Sequence, residues 1–299
     1  MDAQLPPAPL RIDRTLRRFN SVIEASQSLN WPTFAHQFLT LFIQPRFEQG
    51  SVSWLNARWY FLNASIGGVP LGIYPKGWKT IAGLFIEKVM PPGAVQDTFN
   101  VHMKRGHDNE DVALHVYEQQ TGRFVLDFGM LLHHRLYDVM PPEWTPKLWF
   151  DLVLKHQECP AWFDRTFWDM HIAPYNWYAG SPDGVTLCGR LIEIKCPKTL
   201  YRNGIPAYYN IQVQVNMEVM NLEICDFVQY DVATGELLIV EVARDRSLFG
   251  EWEAKCYPFW QQVIEGRRTN VVPEEYKQVS RKRTFETNDV VINDVAFNM

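Results

Sequence analysis

Apolar residues recur at helical spacing through much of the first 120 positions, and alternating strand and helix signals follow from residue 176 onward. Asp13 caps a helix over "RTLRRFNSVIEASQSL", in which Leu16, Phe19 and Ile23 share a face, and "TFAHQFLTLFI" predicts a second helix stopped by Pro45. "SWLNARWYFLNAS" continues the helical pattern into the Gly-rich turn "IGGVPLG". "NEDVALHVYEQQTG" is helical with a Gly at its end, and "RFVLDFGMLLHHR" after it predicts a strand or hairpin. Residues 138–175, rich in Pro and Trp, follow no clean period and read as an insertion.

Beyond residue 176, "SPDG" marks a turn at a strand edge, Leu191 to Cys196 form a strand ended by Pro197, and "AYYNIQVQVNMEVMNL" predicts a helix. Two strands, "CDFVQYDV" and "ELLIVEVA", precede a last helix in "FGEWEAKCYPFWQQVIEG". The pattern predicts a mixed α/β core without internal repeats. Residues 1–47 form a helical extension behind a Pro-rich start, 48–268 the main domain with its insertion, and 269–299 a polar tail, expected to be loosely held from about Pro273, carrying the basic run "SRKR".

Composition narrows the class. With 46% hydrophobic and 21% charged residues, the 299-residue chain can bury a large core and is no disordered or collagen-like sequence. The five cysteines (Cys159, Cys188, Cys196, Cys225, Cys256) are scattered and odd in number, which indicates neither a disulfide framework nor a zinc knuckle and favours a reducing, intracellular compartment. The N-terminus has no apolar signal region, and no run approaches the roughly 20 apolar residues of a membrane span. A net charge of −5 counts mildly against a general nucleic-acid binder. A local basic groove can coexist with an acidic remainder, and metal-binding carboxylates themselves lower the total.

The chemistry concentrates in "NWYAGSPDGVTLCGRLIEIKCPKTL", residues 176–200. Side chains two apart on a strand share a face, so Glu193 and Lys195 project together while Ile192 and Ile194 face the other side. A hairpin through "TLCG" returns Asp183 beside Glu193. Two converging carboxylates suit a hard divalent cation such as Mg²⁺, which prefers oxygen ligands and keeps several waters. The neighbouring ammonium can act on a bound water or meet charge developing on a phosphate, which is the chemistry of phosphodiester hydrolysis. Glu193 and Lys195 alone would equally make a half-buried ion pair; the acid of the "SPDG" turn tilts the reading toward a site.

Asp183, Glu193 and Lys195 match the three motif positions of the PD-(D/E)xK nucleases, and "SPDG...LIEIKCP" followed by "IQVQVNMEV" resembles the phage lambda exonuclease and YqaJ-type viral recombinase family within that superfamily. The resemblance covers about residues 48–132 and 176–250. It implies a restriction-endonuclease-like α/β core, a mixed central sheet flanked by helices, with the N-terminal helical extension and the inserted segment added. Gly106 and Glu110 in "RGHDNEDVALHVYEQQTG" match the family's Gly-x-x-x-Glu helix, and Gln212 its Gln after the Lys strand. "EQGSVSWLNARWYFLNAS" matches a further pattern through Trp54, Arg58 and Ser65, so Arg58, Ser65 and the turn's Ser181 are the residues expected to hold a terminal 5′-phosphate.

The activity implied is a Mg²⁺-dependent exonuclease, with Mn²⁺ as a substitute, that degrades one strand of duplex DNA from a 5′ end and leaves single strand for viral or phage recombination and genome processing. Asp183, Glu193, the Ile194 carbonyl and Glu110 are the implied metal ligands, and Lys195 with Gln212 the implied activating pair. The implied partners are duplex DNA ends, a single-strand annealing protein and further copies of the chain. The extension, insertion and tail depart from the family and bear on its ring-shaped trimer interface. The rivals are an endonuclease on the same core, of restriction or junction-resolving type, and a non-catalytic DNA-binding protein that keeps the fold.

Other features carry less. His133 and His134 are adjacent, and His102 and His107 lie near a helix start, so neither pair suits a metal. Lys198 and Arg202 follow the Lys strand as candidate backbone-phosphate contacts. The aromatic insertion suits a lid packed on the core better than a base-stacking surface.

Overall fold

A computed structural model describes residues 51–75, 77–91 and 101–277. The two helices predicted before residue 50, the "SRKR" run and the side chains of His102 and His107 lie outside the described residues.

The longer helices are α1 (Val52–Trp59), α2 (Ile81–Val89), α3 (Val101–Thr121), α4 (Pro146–Lys155), α5 (Ala207–Met220) and α6 (Arg246–Thr269). The strands are β1 (Leu62–Asn63), β2 (Val125–Leu126), β3 (Leu131–Leu132), β4 (Tyr178–Gly180), β5 (Gly184–Thr186), β6 (Arg190–Lys195), β7 (Ile224–Tyr230) and β8 (Leu237–Ala243). Side chains begin several of the helices: Ser51 Oγ accepts from Trp54 N at 3.1 Å, Thr80 Oγ1 from Gly83 N at 3.0 Å, and Asp245 Oδ1 from the first amides of α6. Asn221 and Asn270, at φ 55° and 56°, end α5 and α6 in the left-handed conformation that asparagine tolerates.

A five-stranded mixed sheet in the order β2-β5-β6-β7-β8 forms the centre, with β6 and β7 parallel and the other pairs antiparallel. A parallel neighbour requires a crossover, and α5 supplies it. Ile192 and Ile194 turn to one face and pack with Ala113, Leu114 and Tyr117 of α3. Leu191, Cys225 and Phe227 pack on the other with Ile211, Val213 and Val215 of α5. Burying each such side chain contributes about 1.5–3 kcal/mol. A one-residue slip of β6 would exchange Ile192 and Ile194 for Glu193 and Lys195 against α3, so the core locks the register that the site needs.

Three expectations need correction. The helix expected over residues 53–65 ends at Trp59, and Leu62 and Asn63 form a strand instead. The carbonyls of its last turn are taken by side chains from beyond the helix, Arg58 O by the nearby Asn63 Nδ2 and by Lys88 Nζ, and Trp59 O by Arg267 Nη2. "RFVLDFGMLLHHR" is no hairpin, because β2 pairs with β5 whereas β3 pairs with β4 in a second sheet of order β1-β4-β3. Gly129, at φ 65° and donating to Asp127 Oδ1 at 2.8 Å, turns the chain between them. The tail's first residues are packed: Tyr276 stacks on Phe85 at 4.1 Å and its hydroxyl donates to Gln262 Oε1 at 2.6 Å.

Residues 138–175, expected as an insertion, are ordered around a second apolar core. Trp149, Phe150, Val153, Trp168 and Ile172 pack against Ala57, Phe61 and Met130, and against Leu132 and Ala179 of the small sheet. They thereby support the buried side of α1.

Gly184 opens β5 where a Cβ would stand 2.2 Å from Val125 Cγ1 and 3.1 Å from the Leu126 carbonyl. Gly184→Ala is expected to cost about 1–3 kcal/mol by overpacking, read as a lowered midpoint in urea unfolding. An unchanged midpoint would mean that the β2 edge yields freely.

Candidate active site

The β5–β6 pairing aligns Gly184 with Ile192, which carries Asp183 toward Glu193 as the hairpin reading expects. Asp183 Oδ2 accepts the Ile194 amide at 2.6 Å. Glu193 is 1% exposed and bonded on both oxygens. Its Oε1 accepts from Lys195 Nζ and from Gln212 Nε2, and its Oε2 from Asn216 Nδ2 at 3.2 Å. Gln212 and Asn216 are one turn apart on α5, so the crossover helix presents both amides to one carboxylate. Gln212 thus acts on Glu193 itself and reaches Lys195 only through the shared oxygen. Gln214 points away, as expected, bonding the Ala243 carbonyl and the Asp245 amide. The Lys195 ammonium stands 5.4 Å from the Tyr209 ring centroid.

Burial pushes the Asp183 carboxyl well above its ordinary range, and the charges of Glu193 and Glu110 push the same way against Lys195 and the Ile194 amide. Burial also raises Glu193, against the opposing pull of Lys195. Burial disfavours the Lys195 charge, yet Glu193 and Asp183 more than offset it and hold the group above the usual lysine range. Lys195 is therefore an ammonium donor in this arrangement. Glu110, on α3, joins the site through its charge.

Among the described residues no three His, Cys, Asp or Glu side chains enclose a metal by themselves. The donors nevertheless fit a hard cation that keeps much of its water: two buried carboxylates, with a third acid acting on both, leave negative charge in excess of the single lysine. A divalent cation there would relieve the repulsion that adds to burial in raising Asp183.

The three expected phosphate ligands also converge. Trp54 Nε1 donates to Ser181 Oγ at 3.3 Å, the Arg58 guanidinium lies 4.3 Å from the Trp54 ring centroid, and Arg58 Nη2 donates to Ser65 Oγ at 2.9 Å. Trp54 and Arg58 are four apart on α1, and Ser181 is two residues before Asp183. Stacking and hydrogen bonding thus hold the guanidinium on the Ser65 hydroxyl and against the Trp54 ring, whose indole N–H reaches the Ser181 hydroxyl two residues before Asp183.

Elsewhere the expectations thin out. Arg202 pairs with Glu236 at 2.7 Å on the surface, so its charge is already engaged. His133 is buried against Tyr175 and faces Glu218 at 3.5 Å, in a network with Arg244. Sequence reasoning missed Asn216, Tyr209 and the buried Lys88. Asn216 was legible from its four-residue spacing after Gln212, whereas nothing in "IAGLFIEKV" distinguishes Lys88 from an ordinary helix-end lysine.

The described fold is similar to that of an alkaline exonuclease (LHK-Exo) from Laribacter hongkongensis, with a TM-score of 0.50 and 22% identity over 73% of this chain and 95% of that one. The same protein in complex with dAMP gives a TM-score of 0.51 at the same identity and coverage. A phage related exonuclease from Haemophilus somnus 129PT gives 0.43 at 13% identity, over 69% and 95% of the two chains. No protein-family model and no curated protein matches the chain.

Because the folded state raises Asp183, it binds a proton that the unfolded chain has released above about pH 4, so this group removes stability as pH rises from there toward its folded value. Asp183→Asn keeps the shape and deletes the titration. Without divalent cations, its melting temperature is expected to match wild type near pH 4 and to exceed it increasingly toward pH 8. A difference independent of pH would contradict the electrostatic reading.

Proposed function

We propose that this chain is a Mg²⁺-dependent exonuclease that removes nucleotides from the 5′ end of one strand of duplex DNA, producing single strand for viral or phage recombination and genome processing. The observation that carries the proposal is the "SPDG" turn, in which Ser181 belongs to the Arg58–Ser65 cluster and Asp183 to the carboxylate pair. A group that binds a strand end and a group that cuts are fixed within two residues of each other. The likeness of fold to an alkaline exonuclease supports the reading.

Asp183, Glu193 and the Ile194 carbonyl, with Glu110 supporting, would hold the cation, for which Mn²⁺ is the natural substitute. When bound, it would lower the pKa of an attacking water and neutralise charge on the scissile phosphate. The chain's own groups do the rest. Gln212 and Asn216 hold the Glu193 carboxylate in one orientation. Lys195 donates a proton-bearing face toward the water and the phosphate oxygens. Arg58, Ser65 and Ser181 grip the terminal phosphate and set polarity. Hydrolysis that breaks the P–O3′ bond releases a 5′-mononucleotide and leaves a new 5′-phosphate on the shortened strand, so each product end is again what the cluster binds.

The substrate is accordingly a duplex DNA end, with a single-strand annealing protein and further copies of the chain as proposed partners and an intracellular setting. No helix among the described residues is long and apolar enough to cross a membrane.

Digestion of linear duplexes with 5′-phosphate or 5′-hydroxyl ends, beside closed circles, tests the proposal. Wild type with Mg²⁺ is expected to consume phosphorylated linear DNA, to spare circles and to stop when the metal is chelated. Lys195→Ala is expected to be inactive. Arg58→Ala is expected to lose about 10–100-fold on phosphorylated ends, as for a charged hydrogen bond worth about 1.5–3 kcal/mol. Cut circles would point to an endonuclease, and no metal-dependent cutting of any substrate would refute the nuclease reading.

A further inference from the structure

Behind the Arg58–Ser65–Ser181 cluster lies a second cationic layer. Lys88, on the inner side of α2, is 2% exposed, and its Nζ donates to the Arg58 carbonyl at 2.6 Å. Arg267, near the end of α6, donates from Nε to the Lys88 carbonyl at 2.7 Å and from Nη2 to the Trp59 carbonyl at 2.5 Å. Its guanidinium lies 3.7 Å from the Trp59 ring centroid, and its Nη1 is buried without a hydrogen-bond partner among the described residues. Glu87, the acid whose charge favours the Lys88 cation, is itself bonded to Lys79.

A buried ammonium without a paired carboxylate is expensive, and structural need does not explain this one. The Arg58 carbonyl already accepts from Asn63 Nδ2 at 2.8 Å, so the end of α1 would remain capped without Lys88. Arg267 clamps the next carbonyl and the Lys88 backbone. What Lys88 can add is charge, in a dry place against the backbone of Arg58, whose guanidinium donates to Ser65. Burial pushes it well below the ordinary lysine range despite Glu87, and the charges of Arg58, Arg267 and Lys79 push the same way. An anion held by Arg58 would reverse that repulsion.

We infer that Lys88 is a specificity-determining residue of the end-binding site, its buried charge making the Arg58 cluster prefer a terminal phosphate monoester over an internal diester or a hydroxyl end. The inference rests on the exonuclease reading of that cluster. A terminal monoester carries about −1.5 to −2 charge at neutral pH and a diester a single one, so an unscreened cation attracts the monoester nearly twice as strongly at equal distance.

The test uses the full chain and Lys88→Met, which keeps length and removes charge. Initial rates on duplexes with 5′-phosphate and 5′-hydroxyl ends are compared, beside calorimetric titration with inorganic phosphate and thermal unfolding. The phosphate-to-hydroxyl rate ratio is expected to fall about tenfold in Lys88→Met, with the hydroxyl-end rate unchanged and the melting temperature equal or higher. An unchanged ratio overturns the inference, as does a parallel fall on both ends, which would mark a merely structural residue. Wild type that cuts duplex DNA but treats both ends alike also overturns it and leaves the nuclease reading standing. A wild type that cuts nothing yet binds phosphate, with binding lost in Lys88→Met, supports the Lys88 assignment and refutes the nuclease reading.

Discussion

The Glu193 carboxylate is the point on which the rest of the structure depends. It is buried in the middle of the sheet and accepts from Lys195 on its own strand and from Gln212 and Asn216 on the crossover helix. A charge in such a place survives only if every lone pair is engaged, and here the engagement fixes three other side chains at once. Strand register, the docking of α5 on the sheet and the position of the lysine are thus one constraint. A parallel β6–β7 pair needs a crossover, and this crossover carries the two amides that hold the acid.

The second dependence is repulsive. Asp183 and Glu193 raise each other's cost of ionisation, Glu110 adds to it, and the single ammonium of Lys195 leaves the balance negative. At the end of α1 the sign reverses, because Arg58, Lys88 and Arg267 gather there and the charges of Arg58 and Arg267 both act on Lys88. The fold therefore stores an acidic and a basic concentration and joins them through one turn, residues 181–183. A net charge of −5 conceals this, since the total says nothing about separation.

Much of this was legible in advance. Strand alternation set Glu193 and Lys195 on one face, and turn chemistry brought Asp183 back to them. The ordered match through Trp54, Arg58 and Ser65 anticipated a cluster whose members are far apart in sequence from Ser181. What escaped depended on tertiary partners. The helix at residues 53–65 stops at Trp59 because Lys88, Asn63 and Arg267 take its last carbonyls, and no local signal announces donors that lie up to 208 positions away. The stretch around Gly129 reads as a strand or hairpin, but its two halves are short strands that join different sheets. Lys88 was invisible for the same reason: a lysine in an apolar helix looks like a snorkelling end residue until the elements around it are placed.

The central claim is that binding an end and cutting beside it are one device with one polarity. A linear duplex carrying one label at the 5′ terminus of a strand and a different label at that strand's 3′ terminus measures this directly. With Mg²⁺, the 5′ label is expected to appear first and in mononucleotides, with the 3′ label of the same strand released only after the residues before it. Release of the 3′ label first, or of both labels within longer fragments, would contradict the account.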